Sequence, residues 1–252
     1  MSTRVFALDT RNRELAERLQ ARPDLAAEFH RRYEMSWIHH ENALDGLVIT
    51  PEELVQALEH QVVGDASFMN LVAGVRAHRQ ALERVRAEAG KRSRVGLPLL
   101  EDLYRILSSA DVPRRRETWR QEMPLHRTYT HELAQPDRIE EELGKVIKGL
   151  ASVEFRELHP IHQAAKAHWS FMRVFPFSDH NGRIARLLQS LFLLRAGYPL
   201  AIIHATDRQR YHDALRHPSA VLRSLLFDAL GNSLESSFRW LDLLAGTGRR
   251  AV

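Results

Sequence analysis

The groups able to handle a phosphate are concentrated between Phe171 and Arg186, in the order Phe171-Met172-Arg173-Val174-Phe175-Pro176-Phe177-Ser178-Asp179-His180-Asn181-Gly182-Arg183-Ile184-Ala185-Arg186. An apolar stretch with helical spacing meets Pro176, crosses a short polar loop, and resumes as a helix whose first turns carry Arg183 and Arg186. The first amides of a helix lack intrahelical partners and carry the positive end of its dipole, so an anion is favoured there. Arg183 and Arg186 share one helical face and can reach the same ligand. Asp179 offers carboxylate oxygens for a divalent cation held against that ligand. Asp and Asn-Gly are also common turn formers, so these residues alone leave an ordinary helix-loop-helix turn open.

Other clusters carry less. His159, His162 and His168 lie on or near one helix, but no His-Glu-x-x-His pattern accompanies them, which favours capping and core hydrogen bonding over a metal site. His39 and His40, beside Glu41, read as helix-surface histidines. Arg114-Arg115-Arg116 reads as a solvated turn ahead of a nucleic-acid patch.

The elements that must position the loop are helices. Apolar spacing of three and four dominates the chain and strictly alternating β-branched runs are nearly missing, so the expected fold is all-α. Helices are expected over about Arg11–Leu19, Asp24–Leu44 (with Leu25, Phe29, Tyr33 and Trp37 at i+4 spacing), Thr50–Gln61, Ser67–Ala89, Leu97–Leu107, Pro136–Ala151, Pro160–Val174, Gly182–Arg195, Asp207–Arg216 and Ala220–Leu244. Thr50-Pro51-Glu52-Glu53 has the form of a capping box with proline at the first helical position. Gly197 suits the left-handed residue after a helix, and Asp207 is expected to cap the helix that follows it. Residues Ser108 to Gln135 break the helical pattern, and a short β-hairpin is expected there.

At 252 residues, with 44% hydrophobic and 27% charged residues, the chain suits a soluble globular fold with no membrane partner. The N-terminus lacks a sustained apolar core, so no secretory signal is expected and the reading is cytoplasmic. Cysteine is absent, which excludes disulfides, thiolate metal sites and cysteine nucleophiles. The formal charge of +4 comes from Lys and Arg interspersed with Glu and Asp, which argues against nucleic acid as the partner.

The segment around Pro176 resembles the signature of the Fic (Fido) family, H-x-F-x-[DE]-G-N-G-R-x-x-R. Phe177, Asp179, Asn181, Gly182, Arg183 and Arg186 match it, whereas Phe175 stands at the catalytic histidine and His180 at the first loop glycine. Upstream, Ala164, His168 and Phe171 match an A-x-x-x-H-x-x-F approach, and Arg116-Glu117-Thr118-Trp119-Arg120 resembles the family's target-positioning flap. Glu41-Asn42 resembles the tail of the inhibitory motif [ST]-x-x-x-E-[GN], with Trp37 at the Ser/Thr position and Ser36 one residue early. The resemblance covers roughly Trp37 to Leu230.

The resemblance implies a Fic-like helical bundle with a hairpin flap, laid out as N-terminal helices over residues 1–60 with an inhibitory-type helix at about 24–46, a core over 61–245 and a frayed tail at 246–252. It implies transfer of AMP, or another phosphate-containing group, from a nucleotide to a hydroxyl of a protein target. ATP and Mg²⁺ are then the expected ligands. Asp179 would hold the metal, Asn181 and Gly182 would line the phosphate pocket, and Arg183 would clasp the triphosphate. Arg186 would hold the γ-phosphate or pair with inhibitory Glu41, within one chain or across a homodimer. Thr118 and Trp119 would position the target.

Phe175 has no lone pair with which to act as a general base, and losing such a base costs about two to four orders of magnitude in rate. Three readings therefore stay open. The chain is a nucleotide- or partner-binding pseudoenzyme, a transferase using His180 as base, or a protein retuned for a different donor, with Phe175 packing on an apolar group. At position 180 the family's glycine permits a left-handed backbone, and histidine is among the residues that tolerate it best.

Overall fold

The computed structural model describes residues 3–60, 64–91, 93–110, 119–124 and 133–248. Within them, helices α1 (Thr3–Ala21), α2 (Pro23–Leu44), α3 (Pro51–Glu59), α4 (Ala66–Lys91) and α5 (Leu97–Leu107) precede the phosphate loop. α6 (Ile139–Leu150), the single turn α7 (Val153–Arg156) and α8 (Pro160–Val174) lead into it. α9 (Asn181–Arg195), α10 (Arg208–Arg216) and α11 (Ser219–Gly248) follow. No strand occurs among the described residues. The expected hairpin falls largely on 111–118 and 125–132, outside them, and 119–124 runs as bends and coil.

α9 is the axis of the fold. Its apolar residues occur all round, from Ile184 and Ala185 through Leu187, Leu188, Leu191, Phe192 and Leu193, and all are buried. A helix apolar on every side must be covered on every side, and α8, α4 and α5 supply the cover. One core runs from Val5 in α1 to Leu241 in α11. Phe29, Tyr33 and Trp37 are the buried stripe of α2, and the Tyr33 hydroxyl donates to the Leu200 carbonyl at 2.6 Å. Leu25, expected in that stripe, is only half-buried.

Local signals behave as the chemistry requires at several ends. The Thr50 hydroxyl accepts from the Glu53 amide at 3.2 Å while the Glu53 carboxylate accepts from the Thr50 amide at 2.8 Å, the reciprocal capping box. Gly197 takes φ +75° after α9. Other ends differ. α1 starts at Thr3 because Val5 and Leu8 are buried as well as Leu15, so the apolar stripe begins well before Arg11. Asp207 stands at the cap position of α10 but its side chain makes no capping bond, because a 3₁₀ turn over Ala205–Asp207 leads into that helix. A similar 3₁₀ turn, Pro136–Arg138, delays α6 to Ile139.

Candidate functional site: two arginines at the start of α9

α8 ends and α9 begins with left-handed residues. Phe175 takes φ 51° and ψ 60°, and His180 takes φ 59° and ψ 6°. They are the only non-glycine residues with positive φ among those described. Left-handed backbone suits histidine tolerably, but a bulky phenylalanine there is unusual and must be held by its surroundings. Its carbonyl accepts from the Arg120 guanidinium at 2.8 Å, and the Arg120 amide donates to the Pro176 carbonyl at 2.9 Å. Arg120 is buried and also reaches the carbonyls of Val174, Ala134 and Glu122. A guanidinium placed on the last carbonyls of α8 answers the negative end of that helix dipole.

The loop is closed from inside by Asn181. Its amide group donates to the Phe177 carbonyl at 2.7 Å and accepts from the Phe177 amide at 3.0 Å. Asn181 lines the pocket but its side chain is spent on the loop, so its role is to hold the loop's shape. Phe177 is the apolar anchor, fully buried, stacked on Tyr104 at 4.3 Å and packed against Trp119. Trp119 thus reaches the loop, whereas Thr118 lies outside the described residues.

A cavity of about 370 Å³ opens above the start of α9. Phe175, Asp179, His180, Asn181, Gly182, Arg183 and Arg186 line it, joined by Leu44, Asp45 and Leu47 from α2 and its exit, and by Arg208, Tyr211 and His212 from α10. A groove of about 990 Å³ near α1, α2 and the end of α9 holds none of the motif residues. Asp179 is exposed at the cavity wall. No group of three or more His, Asp or Glu suited to a metal occurs among the described residues. A magnesium ion does not need one, since it is commonly held by one or two carboxylates together with phosphate oxygens.

Both arginines are engaged by α2. Arg186 Nε donates to the Glu41 carboxylate at 2.5 Å, and the pair is almost fully buried. Arg183 Nε donates to Asp45 Oδ2 at 2.6 Å, and Arg186 donates to Asp45 Oδ1 at 2.8 Å. Asn42 adds its side-chain oxygen, 3.3 Å from Arg183. A Cβ at Gly182 would meet the Arg186 guanidinium at 3.0 Å and push on it by a few tenths of an ångström. Burial pushes the Glu41 carboxyl up from its ordinary value, although Arg186 pulls against it. Burial would also raise Asp45, but Arg186 and Arg183 overcome it and hold that carboxyl at about 2.

A hydrogen-bonded relay fixes Arg186 from behind. Arg186 donates to the Tyr211 hydroxyl at 3.3 Å, and that hydroxyl lies 3.1 Å from His168 Nε2. His168 Nδ1 lies 2.8 Å from the Gln189 side-chain oxygen. The hydroxyl accepts from arginine, so it donates to Nε2, which makes His168 a neutral Nδ1–H tautomer. Burial agrees, lowering His168 to about 3. His159 caps α8, its Nδ1 accepting from the Ile161 amide at 3.3 Å. His78, fully buried against Trp37, lies 3.9 Å from the Glu41 carboxylate with neither ring nitrogen hydrogen-bonded, and burial holds it neutral.

Residues 75–193 match the Fic/DOC family. This is a Fic-domain protein. A protein adenylyltransferase Fic from Culex quinquefasciatus is 48% identical over 59 residues, which is 23% of this chain and 12% of that protein. The one from Nematostella vectensis is 40% identical over 80 residues, 32% of this chain and 19% of that protein. The match thus spans under a fifth of the length of these relatives. In fold, the Fic protein resembles a Fic-domain signaling protein from Bacteroides thetaiotaomicron, with a TM-score of 0.73, 20% identity, and 90% and 97% of the two chains covered. It also resembles Fic-1 from C. elegans in its E274G form, with a TM-score of 0.71, 20% identity, and 93% and 73% covered.

Within the Fic fold, the sequence motif and the cavity wall agree for Phe175, Asp179, His180, Asn181, Gly182, Arg183 and Arg186. Glu41 comes to Arg186 within one chain. Asp45, Arg208, Tyr211 and His212 were not singled out by sequence, and Arg120 was named only within the flap-like stretch. Asp45 alone had a local signal, the Gly46 that follows it and ends α2 with φ +87°.

Proposed function

We propose that this Fic-domain protein binds a nucleotide polyphosphate at the start of α9, in a site that its own helix α2 keeps closed, and that it lacks the group needed for efficient AMP transfer. The observation that carries this reading is the filling of the anion site by anions of the same chain. Arg183 and Arg186 lie at a helix N-terminus, nearly buried, and each is matched to a carboxylate. A site built for negative charge and closed by negative charge is a phosphate site in its resting form.

In this reading Glu41 and Asp45 yield to phosphate oxygens, Arg183 and Arg186 orient the phosphate chain, and Asn181 keeps the loop in register. Asp179 would hold Mg²⁺, which would neutralise the phosphates when bound. Phe175, buried where the family has its histidine, cannot take a proton from an attacking hydroxyl. Its relatives are named protein adenylyltransferases, and a second reading follows from His180, which lines the same cavity. There, His180 takes the proton and a protein hydroxyl is the acceptor.

Calorimetric titration of Mg-ATP into wild type and Arg183→Ala tests binding. Heat in the wild type that Arg183→Ala abolishes supports the reading, and no heat in wild type or in Glu41→Gly sinks it. Incubation with radiolabelled ATP, with self-modification as readout, separates the two readings. Labelling in wild type that His180→Ala abolishes favours transfer with His180 as base.

A further inference from the structure

The inhibitory glutamate accounts for only one of the two arginines. Asp45, four residues later, touches both. Its two oxygens are divided, Oδ2 to Arg183 at 2.6 Å and Oδ1 to Arg186 at 2.8 Å. One group with an oxygen on each guanidinium is the arrangement a single bridging phosphoryl would adopt. Glu41 is deep, with 3% of its side chain accessible, whereas Asp45 sits at the rim with 27%.

Asp45 is held there by its backbone. It is the cap residue of α2, and the turn after it is a Schellman motif in which the Gly46 amide donates to Ala43 at 3.0 Å and the Leu47 amide donates to Asn42 at 3.0 Å. Gly46 supplies the left-handed residue this turn needs, with φ +87°. Arg208 Nε donates to the Leu44 carbonyl at 3.0 Å, fixing the last turn of α2 against α10. The aspartate is thus aimed at the start of α9 by the cap turn and by Arg208.

We propose that Asp45 is an outer phosphate surrogate, a second determinant beside Glu41 of which anions enter, so that a polyphosphate must displace both carboxylates. The proposal rests on the nucleotide reading of the site, and inorganic pyrophosphate separates the two, because it carries the phosphates without the nucleoside. Removing Glu41 alone leaves Arg186 and Arg183 still joined through Asp45. Each carboxylate therefore contributes its own barrier to entry.

Binding of Mg-ATP and of magnesium pyrophosphate is measured for wild type, Asp45→Asn, Asp45→Ser, Glu41→Gln, and Asp45→Asn with Glu41→Gln. Asp242→Asn, which changes a surface partner of Arg18, serves as control. Asp45→Asn keeps the shape and removes the charge, Asp45→Ser checks the result in a second variant, and thermal unfolding reports that each is folded. Asp45→Asn is expected to tighten both ligands by about ten-fold, within the usual range of coupling between sites, and the double variant to bind tightest. Wild-type affinity in both Asp45 variants, with Glu41→Gln matching the double variant, overturns the proposal. Pyrophosphate tightening without ATP binding supports Asp45 and sinks the nucleotide reading. Failure of the double variant to bind either ligand sinks both.

Discussion

Two stretches of chain that line the 370 Å³ cavity are built on opposite rules. At the α9 end, Arg183 and Arg186 are nearly buried, paired with Asp45 and Glu41, and braced through Tyr211 and His168. At the loop end, Phe175 and His180 hold left-handed backbone, and these are the two positions where the chain departs from the Fic signature. The end suited to holding an anion keeps every residue of the pattern. The end suited to moving a proton has changed both its base and its glycine. Under the proposed nucleotide reading, binding and chemistry are therefore separable, and a substitution at one end need not follow the other.

The largest expected effect comes from restoring the base. In a Glu41→Gly background, Phe175→His raises labelling by radiolabelled ATP about 10²- to 10⁴-fold, the usual contribution of a general base. Equal labelling with and without the new histidine would break the division between the two ends. Next, Arg186→Ala leaves Glu41 buried and uncompensated, and its chemical unfolding midpoint should fall by an amount equivalent to about 3–5 kcal/mol. A loss as small as that of a surface pair would mean the binding end is not the braced structure described.

A smaller effect is expected from pH. His168 is held at about 3 by burial, against an ordinary value of 6.5. Between those values the unfolded chain takes up a proton that the folded one refuses, so stability falls as pH drops below 6.5, by up to about 1.4 kcal/mol per pH unit for each such group. His40, lowered to about 4 by burial and by His204 and His39, adds to the same trend. His168→Asn should flatten the slope without abolishing it. Asp45 acts in a lower window, its contribution present above 3.8 and lost as pH falls through about 2. The smallest effect, with the opposite sign, belongs to the loop end: His180→Gly should relieve left-handed strain and raise stability by about 1 kcal/mol.

Much of this site was legible because its signals are local. The helices Leu97–Leu107 and Pro160–Val174 occur at the expected boundaries, since proline and apolar spacing act over one or two turns. Thr50 caps as expected for the same reason. α7 escaped because four residues are too few to show a period, and α1 was read short because its first apolar residues, Val5-Phe6-Ala7-Leu8, form a contiguous run that by itself shows no helical period. Asn181 was placed in the loop correctly, but its partner is the Phe177 backbone, a contact that residue type alone does not specify.

The sequence by itself determined that an apolar helix, a left-handed-tolerant loop and a second helix bearing two arginines follow one another, because each rests on interactions within a few residues. Only the tertiary structure decided what those arginines touch. Glu41 and Asp45 lie more than a hundred residues from Arg183 and Arg186, and Arg120 is 55 residues from the Phe175 carbonyl it holds. Side chains of α2, its cap and α10 meet the start of α9 and place Glu41, Asp45 and Tyr211 on those arginines, and no local period of the chain encodes which carboxylate arrives there.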